Sequence, residues 1–184
     1  MNAASRTRYF VALSLLPEIR LAVGEWRDTL NLPGRPVPPE KFHVTLRFVG
    51  SADQIGQERI MEALDTSDLG PPFPYRIGGL GVFPRPRKAT VAWAGLEGDG
   101  GRLSVLASVV DEAVASAGFG YEERPFRAHL TLARIRPPAD LRAIVAAPAG
   151  IPARATEVVF YRSSTEGRHT TYHPLERFSL ARAG

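Results

Sequence analysis

Two stretches decide how this chain folds: Phe42-His-Val-Thr-Leu-Arg-Phe48 and His129-Leu-Thr-Leu-Ala-Arg134. Side chains alternate faces along a β-strand. His43 and Thr45 therefore point one way while Val44 and Leu46 point the other, and His129 and Thr131 stand in the same relation to Leu130 and Leu132. Each strand buries aliphatic side chains on one face and offers an imidazole and a hydroxyl on the opposite one. The two histidines lie 86 residues apart in a chain of 184 that has only four. A repeat at about half the chain length signals duplication, and two related units can turn their His/Thr faces toward a shared cleft.

Working outward from those strands, Tyr9 to Leu15 reads as a strand, and Pro17 starts a helix running to about Leu30. Asn31-Leu-Pro-Gly stops the helix, and Pro36 to Pro39 forms a stiff connector. After the Phe42–Val49 strand comes a helix from about Ala52 to Leu64. Two strands, Tyr75–Phe83 and Ala89–Leu96, join through the Pro84-Arg-Pro-Arg-Lys88 turn. A periodic helix from Leu103 to Ala117 is ended by Gly118. Phe126–Ile135 is a strand, Ala139–Val145 a short helix, and Ala155–Tyr161 and Thr171–Leu180 are closing strands. The order is strand–helix–strand–helix–strand twice, with one strand over. The expectation is an α+β fold: a single domain over residues 1–184, two-lobed and duplicated, with mainly antiparallel sheets around a central cleft.

Composition narrows the chemistry. With 44% hydrophobic and 23% charged residues and a net charge of +4, the chain is neither disordered nor strongly polyelectrolytic. Zero cysteines exclude disulfides, iron–sulfur clusters and thiolate zinc sites. No run approaches the 18 or so apolar residues of a membrane span, and the Tyr9–Leu16 run is too short for a secretory signal. A soluble, cytoplasmic protein is expected. Of 23 basic residues, 21 are Arg, which suits phosphate geometry but follows equally from codon usage. His169 and His173 have the spacing of a helical metal pair, yet Thr170-Thr171-Tyr172 and Pro174 favour extended chain, where they stand about 13 Å apart. No metal or cofactor is expected.

Paired His-x-Thr-x tetrapeptides in a duplicated chain of this length resemble the 2H phosphoesterase superfamily, and more narrowly its RNA 2′,3′-cyclic phosphodiesterases, historically called 2′-5′ RNA ligases. The resemblance spans nearly the whole chain. It includes Arg8-Tyr-Phe-Val-Ala-Leu13, the block from His43 to Gly50, the block from His129 to Arg134, and Phe160-Tyr-Arg-Ser163 with Gly167 and Tyr172.

That resemblance implies hydrolysis of 2′,3′-cyclic phosphates on RNA or nucleotides to 2′-phosphomonoesters, without a metal. His43 is implied as proton donor and His129 as proton acceptor; the near-symmetric sequence does not itself decide the order. Thr45 and Thr131 would hold the non-bridging oxygens. The family pattern also puts an Arg near the phosphate at position 134. Strict alternation sends Arg134 to the core side, so a bulge or the strand's end would have to re-aim it. By parity Arg47 faces the cleft or solvent, and Phe42 and Phe48 belong to the core. Tyr9, Phe126 and Tyr172 are candidates for stacking on a base, and Arg85-Pro-Arg-Lys88, Arg162 and Arg168 for guiding an RNA backbone. The expected partner is RNA bearing cyclic phosphate ends, bound by a monomer. Two alternatives stay open: cleavage or ligation of 2′-5′ linkages by the same site, and an RNA-end binding module without catalysis.

Overall fold

A computed structural model of the chain describes residues 6–144, 149–166 and 169–181. The strands are β1 (Arg6–Ser14), β2 (Arg35–Pro36), β3 (His43–Gly50), β4 (Phe73–Phe83), β5 (Ala89–Glu97), β6 (His129–Ala139), β7 (Ile151–Ala155), β8 (Glu157–Glu166) and β9 (His169–Ser179). The helices are α1 (Pro17–Thr29), α2 (Gln54–Asp65) and α3 (Arg102–Val114). The architecture is α+β, as expected, with two antiparallel sheets ordered β3-β1-β8-β9 and β2-β6-β5-β4-β7.

Local chemistry explains most element ends. Pro17 opens α1, where its missing N–H is no loss. Asp53 caps α2 by accepting the Gly56 N–H at 2.8 Å. Past α3 the chain makes one wide π-type turn, Ala115–Phe119, kinked within by Gly118 at φ 99°. Pro86–Lys88 forms a short 3-10 turn that folds β4 back onto β5.

The lobes do not coincide with the sequence halves. β4 belongs to the first half, yet its tight connection to β5 makes the two strands neighbours in the second sheet. β8 and β9 then return to complete the first sheet beside β1. Three expectations need correction. The connector from Pro36 to Pro39 contributes a two-residue strand paired with β6 and leads into a 3-10 turn at Pro39–Lys41. The helix expected over Ala139–Val145 does not form in its described part: β6 extends to Ala139 and residues 142–144 are a turn, with Val145 outside the described residues. A Pro137-Pro138 pair just upstream and a lone Leu141 anchor leave too short an apolar face for a helix. The Ala155–Tyr161 strand is in fact two, β7 and β8, broken at Thr156. Gly167 and Arg168 also lie outside the described residues.

One side of each sheet forms the core. Val11, Leu13, Val44 and Leu46 from the first sheet join Ile77, Ala92, Leu130 and Ile135 from the second and Leu103, Leu106 and Val110 of α3 in a continuous apolar cluster. α3 lies against β3, and α2 against α3 and β9. Leu130 is fully buried beside His129. Leu130→Ala is expected to cost about 2–5 kcal/mol, the range for a buried leucine that leaves a cavity, measured by chemical denaturation.

Candidate active site

The two histidines stand in equivalent surroundings. Each motif enters its strand directly, so each ring can hydrogen-bond the chain just upstream. His43 Nδ1 lies 2.8 Å from the Lys41 carbonyl oxygen, and His129 Nδ1 lies 2.8 Å from that of Arg127. A carbonyl only accepts, so Nδ1 carries the proton in both rings and Nε2 is the nitrogen that titrates. In the neutral ring Nε2 can accept a proton, and in the imidazolium it can donate one.

Register shows which side chains join them. β1 pairs with β3 as Ser14 with His43 and Ala12 with Thr45, then Val11 with Arg47 and Phe10 with Phe48. Leu46 is skipped. β5 pairs with β6 as Gly95 with His129 and Trp93 with Thr131, then Ala92 with Ala133 and Val91 with Arg134. Leu132 is skipped. Each strand thus carries a β-bulge three residues past its histidine, and the alternation inverts there. Leu46 and Leu132 stay buried, the next residues, Arg47 and Ala133, are buried too, and Phe48 and Arg134 emerge on the histidine face. Arg134 is consequently exposed beside His129 and Thr131.

The bulge overturns two expectations drawn from strict alternation. Phe48 is no core residue: it is 62% exposed and contacts Phe10, which in turn packs on the His43 ring. Arg47 is neither solvated nor in the cleft. It is 7% exposed, with Nε 2.6 Å from Asp111 of α3, Nη1 3.3 Å from Glu122 and Nη2 donating to the Gly120 carbonyl at 2.8 Å. Arg47 thereby fastens β3 to α3 and to the segment leading toward His129. Among the stacking candidates, Tyr9 is buried against Phe160 in the core and Phe126 packs on the core cluster. Only Tyr172 reaches the site, edge-on to His43 with centroids 5.2 Å apart.

The two faces differ in openness. Around His43, the rings of Phe10 and Tyr161 with Ala12 and Val159 form a second, closed cluster against which Tyr172 packs. This burial pushes the His43 imidazole from 6.5 down to about 4. The bond to the Lys41 carbonyl works against the shift, and the positive charges of His129, Arg134 and Arg20 add to it. Charges on the second sheet thus act on a ring of the first. His129 stands in a more open setting, with Phe83 at 5.3 Å and Trp93 at 6.1 Å. His169 and His173 both lie in β9, and among the described residues no group of three or more His, Cys, Asp and Glu is arranged to hold a metal ion. No described helix is long and apolar enough to cross a membrane.

Two antiparallel sheets, each carrying a His-x-Thr strand, are the pattern of a duplicated, two-histidine phosphoesterase, and the comparison with known families agrees. The sequence pattern of the LigT like Phosphoesterase family matches the chain twice in succession, over residues 13–93 and 96–172. The chain belongs to that family, and each match contains one of the two motifs. The RNA 2′,3′-cyclic phosphodiesterase of Escherichia coli K12 is 32% identical over 177 residues, 94% of this chain and 96% of that one. The enzyme of the same name from Methanothermobacter thermautotrophicus is 31% identical over 95% of this chain and all of its own. Among solved structures, E. coli LigT in apo form superposes with a TM-score of 0.82 at 28% identity, covering 97% of this chain and 100% of that one. A Thermus thermophilus protein, TT0787, gives 0.81 at 28%, covering 96% and 100%.

Two outcomes are expected from this geometry. In the unfolded chain His43 binds its proton near pH 6.5, whereas in the folded protein it does so near 4. Between those values the unfolded state holds more protons, so stability contributed by this group is full above 6.5 and is lost as pH falls toward 4. The melting temperature should drop across that window, and His43→Gln should flatten the drop. Arg47→Met, which leaves Asp111 and Glu122 without their shared cation, should cost about 1–3 kcal/mol in a denaturant titration, the range for hydrogen bonds to charged groups.

Proposed function

We propose that this protein hydrolyses 2′,3′-cyclic phosphates at RNA ends or on nucleotides to 2′-phosphomonoesters, using His43 and His129 as an acid–base pair without a metal. The observation that carries it is the matched anchoring of the two imidazoles, each with Nδ1 on a backbone carbonyl two residues upstream, which leaves Nε2 as the nitrogen that exchanges a proton. The named activity of the relatives supports the substrate class. So does the similarity to E. coli LigT, which has been crystallised with 3′-AMP and with phosphate.

The chemistry asks little more of the protein. A five-membered cyclic phosphodiester is strained, and opening it needs a proton removed from water and a proton given to the departing oxygen. In the hydrolytic direction His129 takes the proton of the attacking water as its oxygen bonds to phosphorus. The bond from phosphorus to the 3′-oxygen breaks, and His43 protonates that oxygen. Thr45 and Thr131 share the faces of their histidines and hold the non-bridging oxygens. Arg134, brought to the same face by the bulge, balances the growing charge. His43 is neutral at pH 7 while the cleft holds no anion. A phosphodiester anion placed beside it favours the imidazolium, so the substrate draws in the proton that is later handed to the leaving group. Both lobes supply half of the site, and the chain acts as one domain.

Incubation with adenosine 2′,3′-cyclic phosphate should yield 2′-AMP in the presence of EDTA. Either His→Ala substitution should lower kcat by at least about a hundredfold, the lower bound for losing a general acid or base. Wild-type rates in both variants, or loss of turnover on chelation, would refute the mechanism. A bell-shaped kcat/KM profile is expected, whichever imidazole is the acid, because that ratio reports the free enzyme's groups. Its lower limb should fall near 4 rather than 6.5.

A further inference from the structure

A short segment joins the two motif strands directly. β2 lies beside β6, with Arg35 opposite Arg134 and Pro36 opposite Ala133. The next N–H, that of Val37, donates at 2.8 Å to the carbonyl of Leu132, the residue skipped at the β6 bulge. Four residues further on, the Lys41 carbonyl accepts the Nδ1 proton of His43. Val37–Lys41 therefore runs from the strand that carries His129 to the ring of His43.

This segment is stiff. Pro38 and Pro39 fix φ at two of its positions, and Pro38 confines Val37 to extended backbone. The Lys41 N–H bonds the Pro38 carbonyl at 2.9 Å and the Phe42 N–H that of Pro39 at 3.1 Å, which closes the 3-10 turn. Helix α1 holds the segment from one side. The buried Arg27 guanidinium donates from Nη1 to the Val37 carbonyl, pairs with Asp28 at 2.7 Å and lies 5.7 Å from the ring centre of Phe42, the residue before His43. Arg20 Nη1 reaches the Glu40 carbonyl at 3.2 Å, and a Cβ at Gly24 would stand only 3.0 Å from Pro39 Cγ. Toward β9, Lys41 Nζ donates to the Thr170 carbonyl at 2.6 Å, two residues before Tyr172, whose ring meets His43 edge-on.

Both backbone groups of Val37 are thus committed, the N–H to the second sheet and the carbonyl to α1. A guanidinium buried this far needs partners, and one of the two that Arg27 has is the carbonyl at this junction. Resting on the proposed use of His43 and His129 as acid and base, the geometry points to Val37–Lys41 as a strap that sets the two imidazoles against each other, with Arg27 as its positioning residue. Arg27 acts through Val37 and Phe42, not on the reacting atoms.

Arg27→Met removes the donor and the charge and keeps a long stem. In the folded variant kcat for adenosine 2′,3′-cyclic phosphate should fall by about ten- to a hundredfold, the scale for misplacing a catalytic group by about 1 Å, with KM nearly unchanged. Arg27→Lys, whose ammonium can still donate to the Val37 carbonyl, should recover most of the loss. Long-range 1H–15N NMR spectra read the imidazole tautomers. Both rings should carry Nδ1–H in the wild type. In Arg27→Met the His43 ring should become a mixture of tautomers, while His129, anchored on the Arg127 carbonyl, should not change. Should Arg27→Met fail to fold, Val37→Pro removes the N–H given to Leu132 at a position that already lies between two prolines. It should show the same fall in kcat and the same change at His43.

Wild-type kcat in either folded variant would overturn the strap, as would tautomer changes of equal size in both rings. A wild-type protein that turns over no 2′,3′-cyclic phosphate would refute the phosphodiesterase reading alone, and the His43 tautomers of the variants would still decide the strap.

Discussion

The site depends on one backbone irregularity used twice: the extra residue that β3 and β6 each accommodate three positions past the histidine. Without it, a pleated strand would keep residues 43, 45 and 47 on one face and 44, 46 and 48 on the other. The skipped Leu46 and Leu132 fill the core and let the following pair exchange faces. In the first lobe the exchange drives a guanidinium inward. It is tolerated because Asp111, Glu122 and the Gly120 carbonyl surround it; a buried charge without such partners would be costly. In the second lobe the inward residue is Ala133, which needs no partner. The same distortion therefore yields an internal clamp in one half and a plain packing contact in the other.

Duplication supplied two copies of a strand, and divergence gave them different work. The outward residue is Phe48 on one side and Arg134 on the other, so one edge of the cleft is apolar and the other cationic. The surroundings of the imidazoles differ in the same sense. His43 is enclosed by the rings of Phe10, Tyr161 and Tyr172, while His129 stands beside glycines and a half-open tryptophan. Acid–base catalysis at one pH benefits from such inequality, because two identical rings would change charge together. Enclosing one of them gives it surroundings unlike its twin's without any change in the His-x-Thr residues themselves.

Much of this was legible in the sequence, and the parts that were not share a cause. The strand–helix order, the repeat and the shared face of each His/Thr pair follow from period-two alternation and from punctuation by Gly and Pro. The faces of Arg47 and Phe48 were misplaced because alternation assumes an unbroken pleat, and a bulge has no compositional mark in Thr-Leu-Arg-Phe. For Arg134 the need for a bulge was visible only because the family resemblance puts an arginine near the phosphate while strict alternation sends this one to the core side. The crossing of β4, β8 and β9 between sheets was likewise hidden: the sequence shows which segments are strands, whereas pairing is decided by turn length and by which apolar faces must meet. The failed helix after Ala139 shows the limit of short apolar runs, where Pro137-Pro138 keeps the strand extended and one buried leucine cannot hold a helix.

The inequality of the two lobes also constrains where a nucleotide can lie. A phosphate held between His43 and His129 must have its sugar and base leave toward one sheet. On the first sheet, parting Phe10 from Tyr161 would remove the burial that depresses His43, whereas Phe48 stands exposed beside them on the histidine face. On the second sheet positions 81 and 95 are glycine, and the Trp93 indole lies in the space that a side chain at 81 would fill. Glycines that sequence patterning reads only as weak points in a strand thus make room for an indole on the His129 face, while Phe10 and Tyr161 pack closely around His43.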